Sequence, residues 1–318
     1  MRFIFFVKIQ FVRGKMTEQI EKIMQKMLGD SAFLSYEIIP QKAFGMEQIL
    51  RPIKESAIFG EIDAFVCTDS PLSRLKHSAI LASIKVQDFL QKPAICTISA
   101  RDKNSIALQG EILGLNEFAV RIFLTLRGDP IKLGDHPNAK AVFEGNSFML
   151  LEIIRNLNNG VDLNGGKIKD LGQKIYPLSV INAYANDMEN IAKKMRKKIA
   201  LGALALITQP IFDAQNAKDL LAMIARINSD LGTNAKLIFG FYPVMNIKTA
   251  EFLYHKLPGC FMPDSWIDVL KSAGDSTESQ RKIGLELSRN LYKNLIALHP
   301  KIHFMCGNKI EIAEQIVV

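Results

Sequence analysis

Three polar residues stand at the ends of apolar segments, and their types suit acid–base and binding chemistry. Glu37 interrupts "FLSYEII" (33–39), Asp129 follows "RIFLTL" (121–126) by way of Arg127 and Gly128, and Gln209 ends "LALITQ" (204–209). A carboxylate inside an apolar strand costs free energy unless it is paired or its pKa rises. Glu37 is therefore either an ion pair with Arg127 or another basic group, or a carboxyl held protonated by burial and able to act as a general acid. Asp129 either caps the turn that Gly-Asp-Pro favours or presents a charge at a strand end. Gln209 is either an amide satisfied by the backbone or a binding group. His136, in "LGDHP" (133–137), could be a base or a ligand, though a loop histidine is more often neither.

The elements that must position these residues alternate regularly. Strand candidates are 33–39, 64–69, 94–99, 121–126, 179–184, 204–209, 237–242 and 302–306. Helical patterns lie between them, among them residues 71–90, 104–119, 147–157 and 187–202, and a last helix with Ile283, Leu287, Leu291 and Leu295 on one face. Eight βα units predict a single α/β domain, a (β/α)8 TIM barrel over residues 31–318. A doubly wound sheet is the alternative, but no G-x-G-x-x-G follows Ile39. Residues 1–30 read as an N-terminal helical extension, with Met16 in "MTEQIEKIMQKML" a second candidate start beside Met1. Strand alternation puts Ser35 and Glu37 in the lumen and Leu34, Tyr36 and Ile38 against the helices. Ala205, Ile207 and Gln209 share a face. Glu37, Asp129 and Gln209 are then expected to meet at the C-terminal mouth.

Composition narrows the classes. The chain has 318 residues, 48% hydrophobic and 23% charged, which fits a globular protein with a large core. Its longest uncharged apolar run, residues 199–207, falls well short of the ~18 residues of a membrane span, so no membrane partner is expected. The basic, apolar N-terminus lacks a small-residue cleavage site and does not read as a secretory signal. Cys67, Cys96, Cys260 and Cys306 lack paired spacing, which predicts no metal site, no disulfide framework and a reducing, cytoplasmic setting. The net charge of +8 calls for an anionic partner. "KKMRKK" (193–198) reads as a helix's polar face rather than a nucleic-acid surface, and a phosphate-bearing cofactor or a polyanionic small substrate accounts for the charge as well as nucleic acid would; charge alone does not choose between them. Trp266, Phe241 and Tyr242 read as packing rather than stacking platforms.

The segments carrying these residues resemble the methylenetetrahydrofolate reductase family from about residue 33 to 315, most nearly the branch fused behind homocysteine methyltransferase modules. The resemblance lies in "YEIIP" (36–40), "CTDSPLSRLKHSAILAS" (67–83), "ARDKNSIALQGEILGL" (100–115), "LTLRGDP" (124–130), "LGDHPNAKAVFEGNS" (133–147), "GALALITQPIFD" (202–213) and "AEFLYHKLPGCFMPDSW" (250–266). It implies a flavoprotein barrel, a homo-oligomer, that reduces 5,10-methylenetetrahydrofolate to 5-methyltetrahydrofolate. Hydride would pass from NAD(P)H to FAD and then to the folate in a ping-pong sequence.

By the same resemblance Glu37 is the general acid and Asp129 the carboxylate beside flavin and pterin. Gln209 binds the pterin and Lys309 stands where an arginine is common, on the substrate side. Thr68, Arg127, Gly128, Asp129, Asp187 and Lys198 are the flavin contacts. The chain departs from the pattern at Thr97 or Ser99, where the family often has histidine, at Asn182-Ala183, where it has Asn-Pro, and at Gln41, where it has proline. These departures leave two other readings: a degenerate barrel that binds folate or a protein partner without catalysis, and a flavin-independent pterin-binding methyltransferase.

Overall fold

The computed structural model describes residues 2–43, 45–255 and 259–318, the side chains of residues 2–13 excepted; part of the "AEFLYHKLPGCFMPDSW" segment (256–258) lies outside the described residues. Eight parallel strands close into a barrel in chain order. They are β1 (Phe33–Ile38), β2 (Ala64–Cys67), β3 (Ala94–Ser99), β4 (Ile122–Leu126), β5 (Tyr176–Ile181), β6 (Ala205–Pro210), β7 (Lys236–Phe241) and β8 (Lys301–Phe304). Closure comes from β1 against β8, with Ser35 opposite His303. The helices are α1 (Arg2–Leu28), α2 (Glu47–Glu55), α3 (Ala79–Leu90), α4 (Ser105–Glu117), α5 (Ser147–Asn158), α6 (Met188–Ala200), α7 (Ala214–Leu231), α8 (Ile247–His255), α9 (Asp264–Ser272), α10 (Thr277–Leu298) and α11 (Ile310–Val317). The chain is a single (β/α)8 barrel, and no helix among the described residues is long and apolar enough to cross a membrane.

Side-chain alternation divides the core into layers. Tyr36 and Ile38 pack outward with Phe65, Cys67, Phe239, Phe241 and Phe304 against the helices. Phe33, Val66, Ile95, Leu124, Leu178 and Ile207 fill the lumen. The same lumenal cluster takes in Met16, Ile20, Ile23, Met24 and Met27 of α1, which close the barrel below the first residues of the strands. Each such side chain contributes about 1.5–3 kcal/mol on full burial, so this half of α1 is the barrel's floor and its placement follows from packing.

Polar contacts fix the angle of that floor. Both carboxylate oxygens of Glu21 accept from the Tyr176 hydroxyl, at 2.7 and 2.6 Å, beside the buried Arg121 guanidinium. The Lys301 ammonium donates to the carbonyls of Lys26 and Ser31, at 3.2 and 2.8 Å, serving the orphan carbonyls where α1 ends.

Two expectations are corrected. Strand β5 begins at Tyr176, three residues before the expected start, with Pro177 inside it; Tyr176 N–H still donates to the Arg121 carbonyl at 2.8 Å. Residues 71–78 are not the first turns of a helix. They form one 3-10 turn (Pro71–Ser73) and a loop, and α3 starts at Ala79. Ser70, Leu72 and Ser73 take φ of 43°, 54° and 54°, a left-handed conformation that no helix tolerates.

Candidate active site

The C-terminal end of β1 is pinned from both sides. Asn308 accepts from Ile39 N–H at 2.9 Å and donates to its carbonyl at 2.8 Å, while Thr68 N–H donates to the Ile38 carbonyl at 3.0 Å. This holds Glu37 on the lumenal face, half-buried. Burial alone pushes the Glu37 carboxyl up to about 7. No ion pair reaches it among the described residues, and Arg127 instead lies over the Phe143 ring, 4.9 Å from its centre. The ion-pair reading of Glu37 is thereby overturned.

Beneath Glu37 the lumen is polar but uncharged. Ser35 Oγ lies 3.0 Å from His303 Nδ1, and burial pulls the imidazole down to about 3, so it stays neutral. Tyr242 and Cys306 lie within reach of the Glu37 charge. Burial raises both of their pKa values, and the nearby Glu37 charge raises them further.

Across the mouth, β4 ends in Arg127, Gly128 and Asp129. Gly128 has φ +90°, and a Cβ there would lie 2.7 Å from the Arg101 Cβ, so both conformation and space exclude a side chain. Asp129 Oδ2 accepts from Leu72 N–H at 2.6 Å, and its carbonyl accepts from Ser73 Oγ at 2.7 Å. Beside this loop, Ser99 Oγ donates to Asp69 Oδ2 at 2.7 Å. Asp129 thus does take part in a turn, as the local reading allowed, but it is the turn after β2. Its second carboxylate oxygen has no protein partner among the described residues.

Gln209 reaches the mouth through a bulge, where β6 gains a residue on β7 between Ile207 and Pro210. Gly240 makes the bulge possible, since a Cβ there would lie 2.3 Å from the Thr208 carbonyl oxygen. The Gln209 amide is half-buried and free of protein hydrogen bonds among the described residues. Lys309 is exposed at the start of α11, beyond β8.

The two remaining candidates behave differently. Asp187 caps α6, accepting from Glu189 and Asn190 N–H groups at 3.0 and 3.4 Å, on the mouth side of the barrel. The ammonium of Lys198 instead turns to the helix-facing side of β5, donating to Ser179 Oγ at 3.0 Å and the Val180 carbonyl at 2.5 Å. Burial there lowers its pKa to about 8. The structure does not bring Lys198 to the mouth with the others, because Ser179 points away from the lumen. His136 is exposed and bonded to the Asp135 carboxylate at 2.9 Å.

Three residues in or beside the lumen carried no role in the sequence reading, Thr97, His303 and Arg101, while Tyr242, which reads as packing, is half-buried. Thr97 is buried in the lumen above Ile95, and its hydroxyl has no partner among the described residues. His303 and Tyr242 could have been found by extending the strand alternation along "KIHF" and "IFGFY". Arg101 gave one signal: an arginine two residues past a wholly buried strand.

Comparison with known proteins agrees with this layout. Two relatives from Schizosaccharomyces pombe are each 21% identical. Methylenetetrahydrofolate reductase 1 matches over 93% of this chain and 47% of its own length, and methylenetetrahydrofolate reductase 2 over 87% and 43%. The chain therefore spans less than half the length of either. An uncharacterized Clostridium thermocellum protein that binds two copies of 5-methyl-5,6,7,8-tetrahydrofolic acid shares the fold with a TM-score of 0.58 at 19% identity, covering 92% of this chain and 95% of that one. EDTA monooxygenase from Chelativorans sp. BNC1 does so at 0.51 and 12%, covering 89% and 90%. The methylenetetrahydrofolate reductase family model matches residues 20–318, from the floor helix to the last residue, so the chain belongs to the methylenetetrahydrofolate reductase family.

Proposed function

We propose that this barrel reduces 5,10-methylenetetrahydrofolate to 5-methyltetrahydrofolate with NAD(P)H and FAD. One observation carries the reading: a family barrel holds Glu37 in its lumen with no ion-pair partner among the described residues, its carboxyl raised to about 7 by burial. A carboxylic acid poised near neutrality can donate a proton to an amine nitrogen and recover it, which is what opening the folate's five-membered ring requires. The Gln209 amide offers a donor and an acceptor to the pterin's edge. Lys309 supplies an exposed cation for the carboxylate tail.

The residues opposite fit a flavin. The Thr97 hydroxyl is buried without a partner among the described residues, a cost that a ligand atom would relieve. Thr68, Arg127, Gly128 and Asp129 would hold the cofactor from the ends of β2 and β4, with Asp187 at the rim. FAD supplies the two-electron carrier between nicotinamide and folate. The free oxygen of Asp129 places negative charge where a cationic folate would be stabilised. That protein from Clostridium thermocellum lends support, since the same fold accommodates methyltetrahydrofolate there.

Folate binding without catalysis is the second reading, and the placement of Lys198 on the helix-facing side of β5 favours it. The two separate on product formation. Purified protein supplied with FAD, NADH or NADPH, and methylenetetrahydrofolate should yield methyltetrahydrofolate. Saturable folate binding without product would assign the chain to the second reading.

A further inference from the structure

We propose that Arg101 is the positioning residue for Asp129, setting through the loop after β2 which carboxylate oxygen is left for the ligand. The proposal rests on the reading of Asp129 given under Proposed function. Arg101 stands two residues past β3 and is only 2% exposed. Arginines are almost never this buried unless paired. Its charge is met by Asp102, with Nε to Oδ1 at 2.8 Å and Nη2 to Oδ2 at 2.6 Å. That bidentate pair fixes the guanidinium plane and leaves Nη1 for other work.

Nη1 donates to the Ser70 carbonyl at 3.2 Å and to Ser73 Oγ at 3.0 Å. Ser73 Oγ in turn donates a hydrogen bond to the Asp129 carbonyl at 2.7 Å, and Leu72 N–H, between the two serines, donates to Asp129 Oδ2 at 2.6 Å. Ser70, Leu72 and Ser73 all hold left-handed φ without being glycine. Such residues cost on the order of 1–3 kcal/mol each and persist only where surroundings over-determine them. Nη1 and Asp129 supply that restraint.

The main chain and stem of Arg101 restrain the other side. Its Cβ is the atom that excludes a side chain at Gly128, immediately before Asp129. Its carbonyl accepts from Val142 N–H at 2.7 Å, which ties in the far end of the loop after β4. Asp129 is thus held at Oδ2 by Leu72, at its carbonyl by Ser73 and at its preceding residue by Arg101. Its free Oδ1 is the oxygen this arrangement reserves. A role in stability alone would hold the loops equally well but would not act through Asp129.

The experiment compares Arg101→Gln and Arg101→Lys with wild type, alone and combined with Asp129→Asn. Lysine keeps the charge but lacks the planar fork, so it should not bridge Asp102, Ser70 and Ser73 together. In the ligand-free protein, amide exchange at Leu72 should quicken roughly tenfold or more in Arg101→Gln, the loss of one charge-assisted bond. Unchanged protection at Leu72 overturns the proposal, whatever the protein catalyses. In the flavin-loaded protein the folate half-reaction should slow while reduction by nicotinamide is kept. Adding Arg101→Gln to Asp129→Asn should then cost nothing further. Multiplicative losses, or equal slowing of both half-reactions, would overturn action through Asp129. Should Arg101→Gln fail to fold, Arg101→Lys carries every arm. Absence of folate turnover in wild type defeats the functional reading, and the Leu72 measurement still decides the clasp.

Discussion

Ser35 Oγ and His303 Nδ1 lie 3.0 Å apart in the lumen, one layer beneath Glu37. The pair joins the first strand to the last at the barrel's closure. It fills the lumen with polar atoms that carry no charge, since burial keeps the imidazole neutral. Glu37 has no ion-pair partner among the described residues, and burial raises its pKa to about 7.

The neutral histidine has a thermodynamic signature. Its folded pKa, about 3, lies below the unfolded value of 6.5. The unfolded chain binds the proton more readily, so this contribution is fully present above pH 6.5 and is lost as pH falls toward 3. Replacing His303 with Gln should flatten the loss of stability between pH 6 and about 4 in urea titrations. An unaltered pH slope would show that His303 does not carry it.

Glu37 has the opposite sign. Its folded pKa, about 7, lies above the unfolded value of 4.5, so stability is greatest below pH 4.5 and declines as pH rises through 7. Glu37→Gln should stabilise the protein above pH 7 by up to roughly 3 kcal/mol. The same change should slow folate reduction by about 10²–10⁴-fold and spare flavin reduction by nicotinamide. In wild type the folate half-reaction should fall as pH rises past about 7. Equal loss of both half-reactions would remove the general-acid assignment.

Gly128→Ala puts a Cβ at φ +90° and within 2.7 Å of Arg101. A loss of about 1–3 kcal/mol is expected in chemical denaturation, together with weakened flavin retention. A midpoint equal to wild type would mean that the backbone there relaxes freely.

Gln209→Ala separates binding from structure. The amide has no protein partner among the described residues, so stability should hold while methyltetrahydrofolate affinity drops by about 2–10-fold, the worth of one hydrogen bond. Unchanged affinity in a calorimetric titration would take Gln209 out of the pterin site.

The barrel was legible because its signals are local. Alternation in "FLSYEII" was enough to put Glu37 in the lumen and Tyr36 outside. Pro177 hid the start of β5, since a residue without a donor reads as a boundary. Residues 71–78 were misread for a deeper reason. Their left-handed turn is imposed by Asp129 and Arg101, 56 or 57 residues away and 28 or 31 residues away in the chain. Lys198 was illegible for a similar reason. The run "KKMRKK" reads as a polar face, yet Lys198 is buried, and periodicity does not say on which side of β5 so long a side chain will find its acceptors.

The central claim is that this mouth passes hydride to a folate through a flavin. Its most direct test is the absorption spectrum of freshly purified protein under anaerobic conditions, before and after NADH, then after methylenetetrahydrofolate. Flavin bands that bleach with NADH and return with the folate are predicted. A colourless protein that FAD does not reconstitute, or bands that the folate leaves bleached, would contradict the claim and leave a folate-binding barrel.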